Sequence, residues 1–265
     1  MITLSYACFY NITMSTPRFY CLEPLVIGSR YVLPDAAARH ASRALRLRVG
    51  DDLVLFDGAG GEYVARIAVL DRDQVSVDVM EWCDVECEAP IEVTLVQALQ
   101  AGEKMDMTVQ KAVELGARRI VPVTSQRSTV RLAGERAVRR VEHWRGVAIA
   151  ACEQCGRNRV PEVSALQSLE QWLGKSPNSG VLRLMLVPGS EQTLASIAPP
   201  APGGKVDVLI GAEGGLAPDE VERAELAGFV SIRLGPRILR TETAGLALLA
   251  AMQCLWGDFR GMDHV

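Results

Sequence analysis

The chain has 265 residues, 49% of them hydrophobic and 23% charged, with a net charge of −4, a composition suited to one large or two ordinary globular domains. No apolar run reaches the roughly 20 residues that cross a bilayer, and the small negative charge argues against a protein that coats nucleic acid indiscriminately. Seven cysteines scattered over a chain this long predict reduced thiols in a cytoplasmic protein, and Cys83-x3-Cys87 and Cys152-x2-Cys155 lie too far apart in sequence, with no histidine at ligand spacing, to suggest a metal site.

Charge is uneven along the chain. Only Lys104, Lys111, Lys175 and Lys205 are lysines among 28 basic residues, and arginine is the better partner for planar, bidentate contact with phosphate. Residues 30–48 carry five arginines and His40 against Asp35, and residues 118–159 carry ten arginines against three glutamates. Between them, residues 51–92 hold twelve acids and two arginines. Two basic zones around an acidic one fit local phosphate contact, with solvated helix faces as the plainer alternative.

In chain order, Met1 to Thr13 lacks the basic start and small-residue cleavage site of a signal peptide and reads as an extension or an upstream start-site artefact, Met14 being a more ordinary start. Residues 14–88 read as a small β-barrel. A helix is predicted over Ala36 to Leu47, and strands over Asp51 to Phe56, Glu62 to Ile67 and Val75 to Val79, the last two by their polar–apolar alternation. From Pro90 the rhythm changes, and residues 90–265 read as one α/β domain. Strands are predicted at Ile91 to Leu99, Arg119 to Val123, Val181 to Val187, Val206 to Ile210 and Val230 to Leu234. Helices are predicted at Glu103 to Leu115, Gly134 to Glu153, from about Pro218, and Thr243 to Trp256. Strands separated by helices imply a mainly parallel sheet covered on both faces.

Two turns concentrate the chemistry. The strand ending at Ile210 runs into Gly211-Ala212-Glu213-Gly214-Gly215, where absent Cβ atoms let backbone approach a ligand; ligands favour such carboxyl ends of strands. The G-x-x-G-G spacing fails the dinucleotide pattern and has no phosphate-loop lysine, so taken alone it is also an ordinary strand-to-helix turn. The second turn, Leu234-Gly235-Pro236-Arg237-Ile238-Leu239-Arg240-Thr241-Glu242-Thr243-Ala244, precedes the last helix and should sit beside the first.

Together these two segments resemble the bacterial 16S ribosomal RNA uracil-N3 methyltransferases of the SPOUT superfamily. Gly102-Glu103-Lys104-Met105, Gln110-Lys111, Glu114-Leu115-Gly116 and Ala151-Cys152-Glu153-Gln154-Cys155-Gly156-Arg157 match as well. The resemblance runs from about Arg18 to Asp258 and is weakest in the barrel. It implies a PUA-like RNA-binding barrel followed by a trefoil-knotted methyltransferase domain with S-adenosylmethionine as cofactor. It also implies a homodimer and a substrate that is 16S ribosomal RNA or the small ribosomal subunit. Carried over by motif, the cofactor should meet Leu186, Gly211, Ala212, Gly214, Gly215, Leu234, Gly235 and Leu239, where Ala212 replaces the family's usual proline.

N3 lies on the Watson–Crick edge, so the target uracil must be unpaired or flipped out. Arg240 is the expected donor to the uracil carbonyl oxygens. Glu242 is expected either to accept the N3 proton or to orient Arg240, with a plain helix N-terminal carboxylate as the alternative. Thr241 is expected to position. Arg18, Arg39, Arg43 and Arg46, with Arg127 and Arg131, are the expected phosphate contacts. Thr243 to Trp256, apolar around most of its girth, suits a dimer interface or a buried core helix. Two rival functions share the same fold rhythm, a nucleotide-dependent oxidoreductase and a noncatalytic RNA-binding or assembly factor.

Overall fold

The computed structural model describes residues 16–71, 74–175 and 180–261; the expected extension 1–13 lies outside them. The chain forms two compact units. The first comprises residues up to Cys87 together with Cys152–Val160, the second Glu88–Ala151 and Pro161–Val265. The short 152–160 segment, expected with the second domain, thus belongs to the first.

The first unit is a five-stranded sheet built from β1 (Arg18–Tyr20), β2 (Arg30–Val32), β3 (Asp52–Phe56), β4 (Glu62–Leu70) and β5 (Val75–Cys83), in the order β1-β3-β4-β5-β2. β1 joins β3 in parallel, and the other pairings are antiparallel. Its core gathers Phe19, Leu33, Leu53, Leu55, Ile67, Val77 and Val79. β1 and β2 are too short to carry a readable period and were not expected. The predicted helix over 36–47 is only α1 (Asp35–Arg39), followed by a π-helical turn over His40–Ala44. The reason is local: Leu45 N–H bonds to His40 O, Leu47 N–H to Ala41 O, and Arg46 takes a left-handed φ of 53°, which ends the helical path.

The second unit is a seven-stranded sheet. Its strands are β6 (Glu92–Ala98), β7 (Ala117–Thr124), β8 (Glu162–Val163), β9 (Gln167–Ser168), β10 (Leu182–Leu186), β11 (Lys205–Ile210) and β12 (Val230–Ile232), in the order β12-β10-β11-β6-β7-β8, with β9 also on β7. Each pairing is parallel, as the alternating rhythm required. Burial explains the near-continuous apolar runs: Val206, Val208, Leu209, Leu95 and Val96 are fully buried in central strands.

Helices connect these strands. α2 (Lys104–Glu114) buries Met105, Thr108, Val109, Ala112 and Val113, the 3–4 spacing of one helical face, and ends at left-handed Gly116. α3 (Gly134–Cys155) begins in the second unit, and its last four residues belong to the first. α4 (Leu169–Leu173) carries a Ser168–Gln171 capping box. α5 (Pro218–Leu226) opens on Pro218, and α6 (Thr241–Trp256) ends the sheet domain. Among the described residues no helix is long and apolar enough to cross a membrane. Cys21, Cys87, Cys152, Cys155 and Cys254 are free thiols.

Candidate active site

Three adjacent strands, β12, β10 and β11, end on the same side of the second unit because they run parallel. The turns that follow them enclose a cavity of about 590 Å³. Leu186 comes from the end of β10, Gly211, Ala212, Gly214 and Gly215 from the turn after β11, and Leu234, Gly235 and Leu239 from the turn after β12. Arg240, Thr241 and Glu242, the first residues of α6 and its cap, line the same space. The two glycine-containing turns therefore share one cleft. This lies outside the carboxyl ends of the strands, where open parallel sheets bind ligands.

The first turn is tight for a physical reason. Gly215 N–H bonds to Ala212 O at 2.8 Å, and Gly215 adopts a φ of +72°. A Cβ on Gly211 would lie 2.7 Å from the Gly215 carbonyl carbon and 2.8 Å from Leu216 N, backbone atoms that cannot step aside. Ala212 is buried and belongs to the core cluster that holds Val96, Leu209 and Phe229.

Thr241 is buried, and its hydroxyl donates to Gly211 O at 2.6 Å while accepting from Gln97 Nε2 at 3.0 Å and Gln100 Nε2 at 3.3 Å. Gln100 Oε1 in turn accepts from Thr108 of α2 at 2.8 Å. Thr241 thus ties the start of α6 to the glycine turn. Its hydroxyl is engaged by three partners, and the residue is 6% exposed at the edge of the cleft.

Glu242 is mostly buried, and its Oε1 receives Lys104 Nζ at 3.2 Å. Its own backbone N–H, then the Lys104 ammonium and the Arg240 charge, hold its carboxyl below the usual glutamate range against partial burial. Its Oε2 is buried with no hydrogen-bond partner. Lys104 Nζ also lies 3.8 Å from Glu213 Oε1, which accepts Ala101 N–H at 3.0 Å. Lys104 and Glu213 were not named as site residues from sequence. Lys104 looked like the start of a helix, and only its place in a matching motif hinted at more.

The expected phosphate contacts divide. Arg39, Arg43, Arg46 and Arg131 are exposed. Arg127 lines the cavity, and its Nη1 donates to Gly214 O at 3.0 Å. Arg18 is a correction. Its side chain is only 13% exposed and donates to Glu62 Oε2 at 2.5 Å and Asn158 Oδ1 at 2.6 Å, and also reaches Gly156 O. Largely desolvated and held through both terminal nitrogens by partners of the first unit, with Nε left without a partner, it serves that unit's interior and is not the exposed cation a phosphate contact needs.

A parallel α/β sheet carrying a ligand cleft made of backbone turns, preceded by a small sheet domain, defines a cofactor-dependent enzyme. Residues 87–253 match the family described as RNA methyltransferase domain, and residues 33–80 match the RNA methyltransferase PUA domain. The chain belongs to this RNA methyltransferase family, in its SPOUT fold, as the two turns implied. A relative in Bacillus subtilis, ribosomal RNA small subunit methyltransferase E, is 34% identical over 80% of this chain and 85% of its own. A protein of the same name in Buchnera aphidicola is 29% identical over 92% and 95%.

A crystal structure of ribosomal RNA small subunit methyltransferase E from Neisseria gonorrhoeae bound to S-adenosyl methionine is similar, with a TM-score of 0.86 and 40% identity over 92% of this chain and 99% of that one. A Legionella pneumophila methyltransferase in complex with the same cofactor also has a TM-score of 0.86, at 34% identity over the same shares. These findings do not favour the oxidoreductase reading or that of a noncatalytic factor.

Proposed function

We propose that this protein transfers the methyl group of S-adenosylmethionine to N3 of a uridine in 16S ribosomal RNA, acting on that RNA or on the small ribosomal subunit. The observation that carries the proposal is the single cleft shared by the Gly211–Gly215 turn and the Arg240–Glu242 segment. Its volume falls in the range of roughly 300–1,000 Å³ typical of small-molecule sites. Leucines, an alanine and glycine backbone suit the flat, partly apolar adenosine, and Gly211 stands where no Cβ fits. The residues present therefore fit the cofactor. Leu186, the Gly211–Gly215 turn, Leu234, Gly235 and Leu239 would hold it.

When bound, the cofactor supplies a methyl group on a sulfonium sulfur. The chain's own residues would do the rest. Arg240 caps α6 and is exposed within the cleft, placed to donate to a uracil carbonyl oxygen as N3 loses its proton. Glu242 is held ionised, so it would accept the N3 proton as the N–CH3 bond forms and pass it on to water, or orient Arg240 while water takes that proton. Exposed Arg39, Arg43 and Arg46 of the PUA domain, with Arg127 and Arg131, would meet phosphates.

The proposal extends to the trefoil threading of the carboxyl-terminal segment, to a homodimer and to a cytoplasmic setting, where ribosomal RNA is made. α6 supports the dimer: it buries Leu248, Leu249 and Met252, while Leu246, Leu255 and Trp256 remain part-exposed.

The test is mass spectrometry of small-subunit ribosomal RNA from a strain lacking the gene. One N3-methyluridine should disappear and return with the wild-type gene but not with Arg240→Ala. Equal N3-methyluridine in both strains would sink the proposal.

A further inference from the structure

Arg127 stands in a turn after β7 that is fixed on both sides. Ser125 N–H and Oγ meet Ser128 Oγ at 3.1 and 3.0 Å. Gln126 N–H donates to Glu220 Oε1 at 2.8 Å, and Gln126 Nε2 to Asp219 Oδ2 at 2.6 Å, both at the start of α5. From this anchored backbone the Arg127 side chain lies over the glycine turn, where Nη1 donates to Gly214 O at 3.0 Å. Its stem packs on the same residue: a Cβ on Gly214 would stand 3.1 Å from Arg127 Cβ and 3.5 Å from Cδ. Gly214 is therefore a glycine partly because Arg127 occupies the space beside it.

A guanidinium has five N–H donors in a fixed planar fork. The Gly214 carbonyl engages one end of it, and the other donors have no hydrogen-bond partner among the described residues. The side chain is exposed and lines the cleft. A fork already held by a carbonyl of the cofactor turn is oriented in advance for an anionic oxygen on its open side.

We propose that Arg127 is a positioning residue that couples the two substrates, gripping an RNA phosphate with the open side of its guanidinium while its other side holds the Gly214 carbonyl and so the cofactor turn. This rests on the methyltransferase reading above and adds a link that the reading does not contain. RNA binding restrains the arginine, the arginine restrains the turn, and each ligand thereby favours the other. Such coupling is reciprocal: the factor by which cofactor raises RNA affinity equals the factor by which RNA raises cofactor affinity.

The experiment uses the full chain and small ribosomal subunits purified from a strain lacking the gene. Subunit affinity is measured with and without saturating S-adenosylhomocysteine, and S-adenosylhomocysteine affinity with and without subunits. In the wild type both ratios should agree and reach about fivefold or more, within the usual range of allosteric factors. In Arg127→Ala and Arg127→Lys the ratio should fall to about one, since an ammonium lacks the two-sided fork. Gly214→Ala keeps the charge, displaces the arginine by a few tenths of an ångström and should lower the ratio too, so the outcome does not depend on the folding of one variant. Arg127→Ala should also reduce the salt slope of binding by about one phosphate contact, roughly 0.7–0.9, whereas Gly214→Ala should leave it.

An unchanged ratio in Arg127→Ala overturns the inference. So does a loss of S-adenosylhomocysteine affinity in that variant that is absent with 5′-methylthioadenosine, which lacks the carboxylate; the anion held would then be the cofactor's own. Wild-type protein that methylates subunits but shows no coupling defeats this inference alone, and wild-type protein that never methylates them defeats the reading beneath it.

Discussion

Lys104 Nζ stands 3.2 Å from Glu242 Oε1, joining the first turn of α2 to the first turn of α6 across the wall of the cleft. The glutamate's own N–H is the larger cause of its lowered proton affinity, and Lys104 adds to it. A carboxyl depressed in the folded protein stays ionised until the pH falls below its ordinary range, and what it contributes is lost only there. The acidic limb of kcat/KM that reports Glu242 should therefore lie below the usual glutamate value. Lys104→Met should move it to higher pH, and Lys104→Arg should largely keep it. A limb that does not move in Lys104→Met would assign the ionisation to the backbone alone.

Thr241 serves Gly211, Gln97 and Gln100 at once. Thr241→Val keeps the shape and strands a buried carbonyl and two amide donors, so it should cost about 1–3 kcal/mol of stability and weaken cofactor binding through the turn. Thr241→Ser should restore both. Thermal unfolding together with calorimetry of S-adenosylhomocysteine binding reads the two effects; a valine variant equal to wild type in each would remove Thr241 from the site.

Arg240→Ala would remove the proposed donor to the uracil carbonyl while leaving α6 in place. Single-turnover methylation should slow by about 10²–10³-fold, the usual loss for one transition-state donor, with RNA affinity mostly retained. Parallel loss of affinity and rate would make Arg240 a phosphate contact instead.

Arg18 and the arginines of the α1 region should behave oppositely. Arg18→Ala leaves Glu62, whose side chain is 6% exposed, without its cation, and should destabilise the protein by about 3–5 kcal/mol. Arg39→Ala, Arg43→Ala and Arg46→Ala should barely change stability, and each should reduce the salt slope of RNA binding by roughly 0.7–0.9. Denaturant unfolding and salt titrations separate the two patterns; a stable Arg18→Ala with a reduced slope would reverse the assignment.

The cleft was legible because its parts are local. An apolar strand ending in Gly211 and a second turn crowded with Arg240, Thr241 and Glu242 announce themselves within a few residues each, and parallel strands place their ends together. Partnership across the chain was not legible. Arg18 reads as a surface cation because nothing nearby in sequence shows that Glu62 and Asn158 face it. Lys104 reads as a helix start because Glu242 lies far along the chain. The 36–47 helix was overestimated because its residues favour a helix, while the left-handed Arg46 that ends its path carries no signature of its own. Strands of two or three residues, such as β1, β8 and β9, exist through their neighbours' hydrogen bonds and carry no period to read.

The discontinuity of the first unit bears on dissecting the protein. Asn158 Nδ2 donates to Val85 O at 2.6 Å, Arg159 meets Glu86 at 3.1 Å, and Glu153 accepts Tyr20 N–H at 3.0 Å. A fragment cut at residue 88 would forfeit all three, along with the amide that holds Arg18. Anyone grafting this PUA domain onto another enzyme must transplant the distant nine-residue strip as well, or supply a substitute for it.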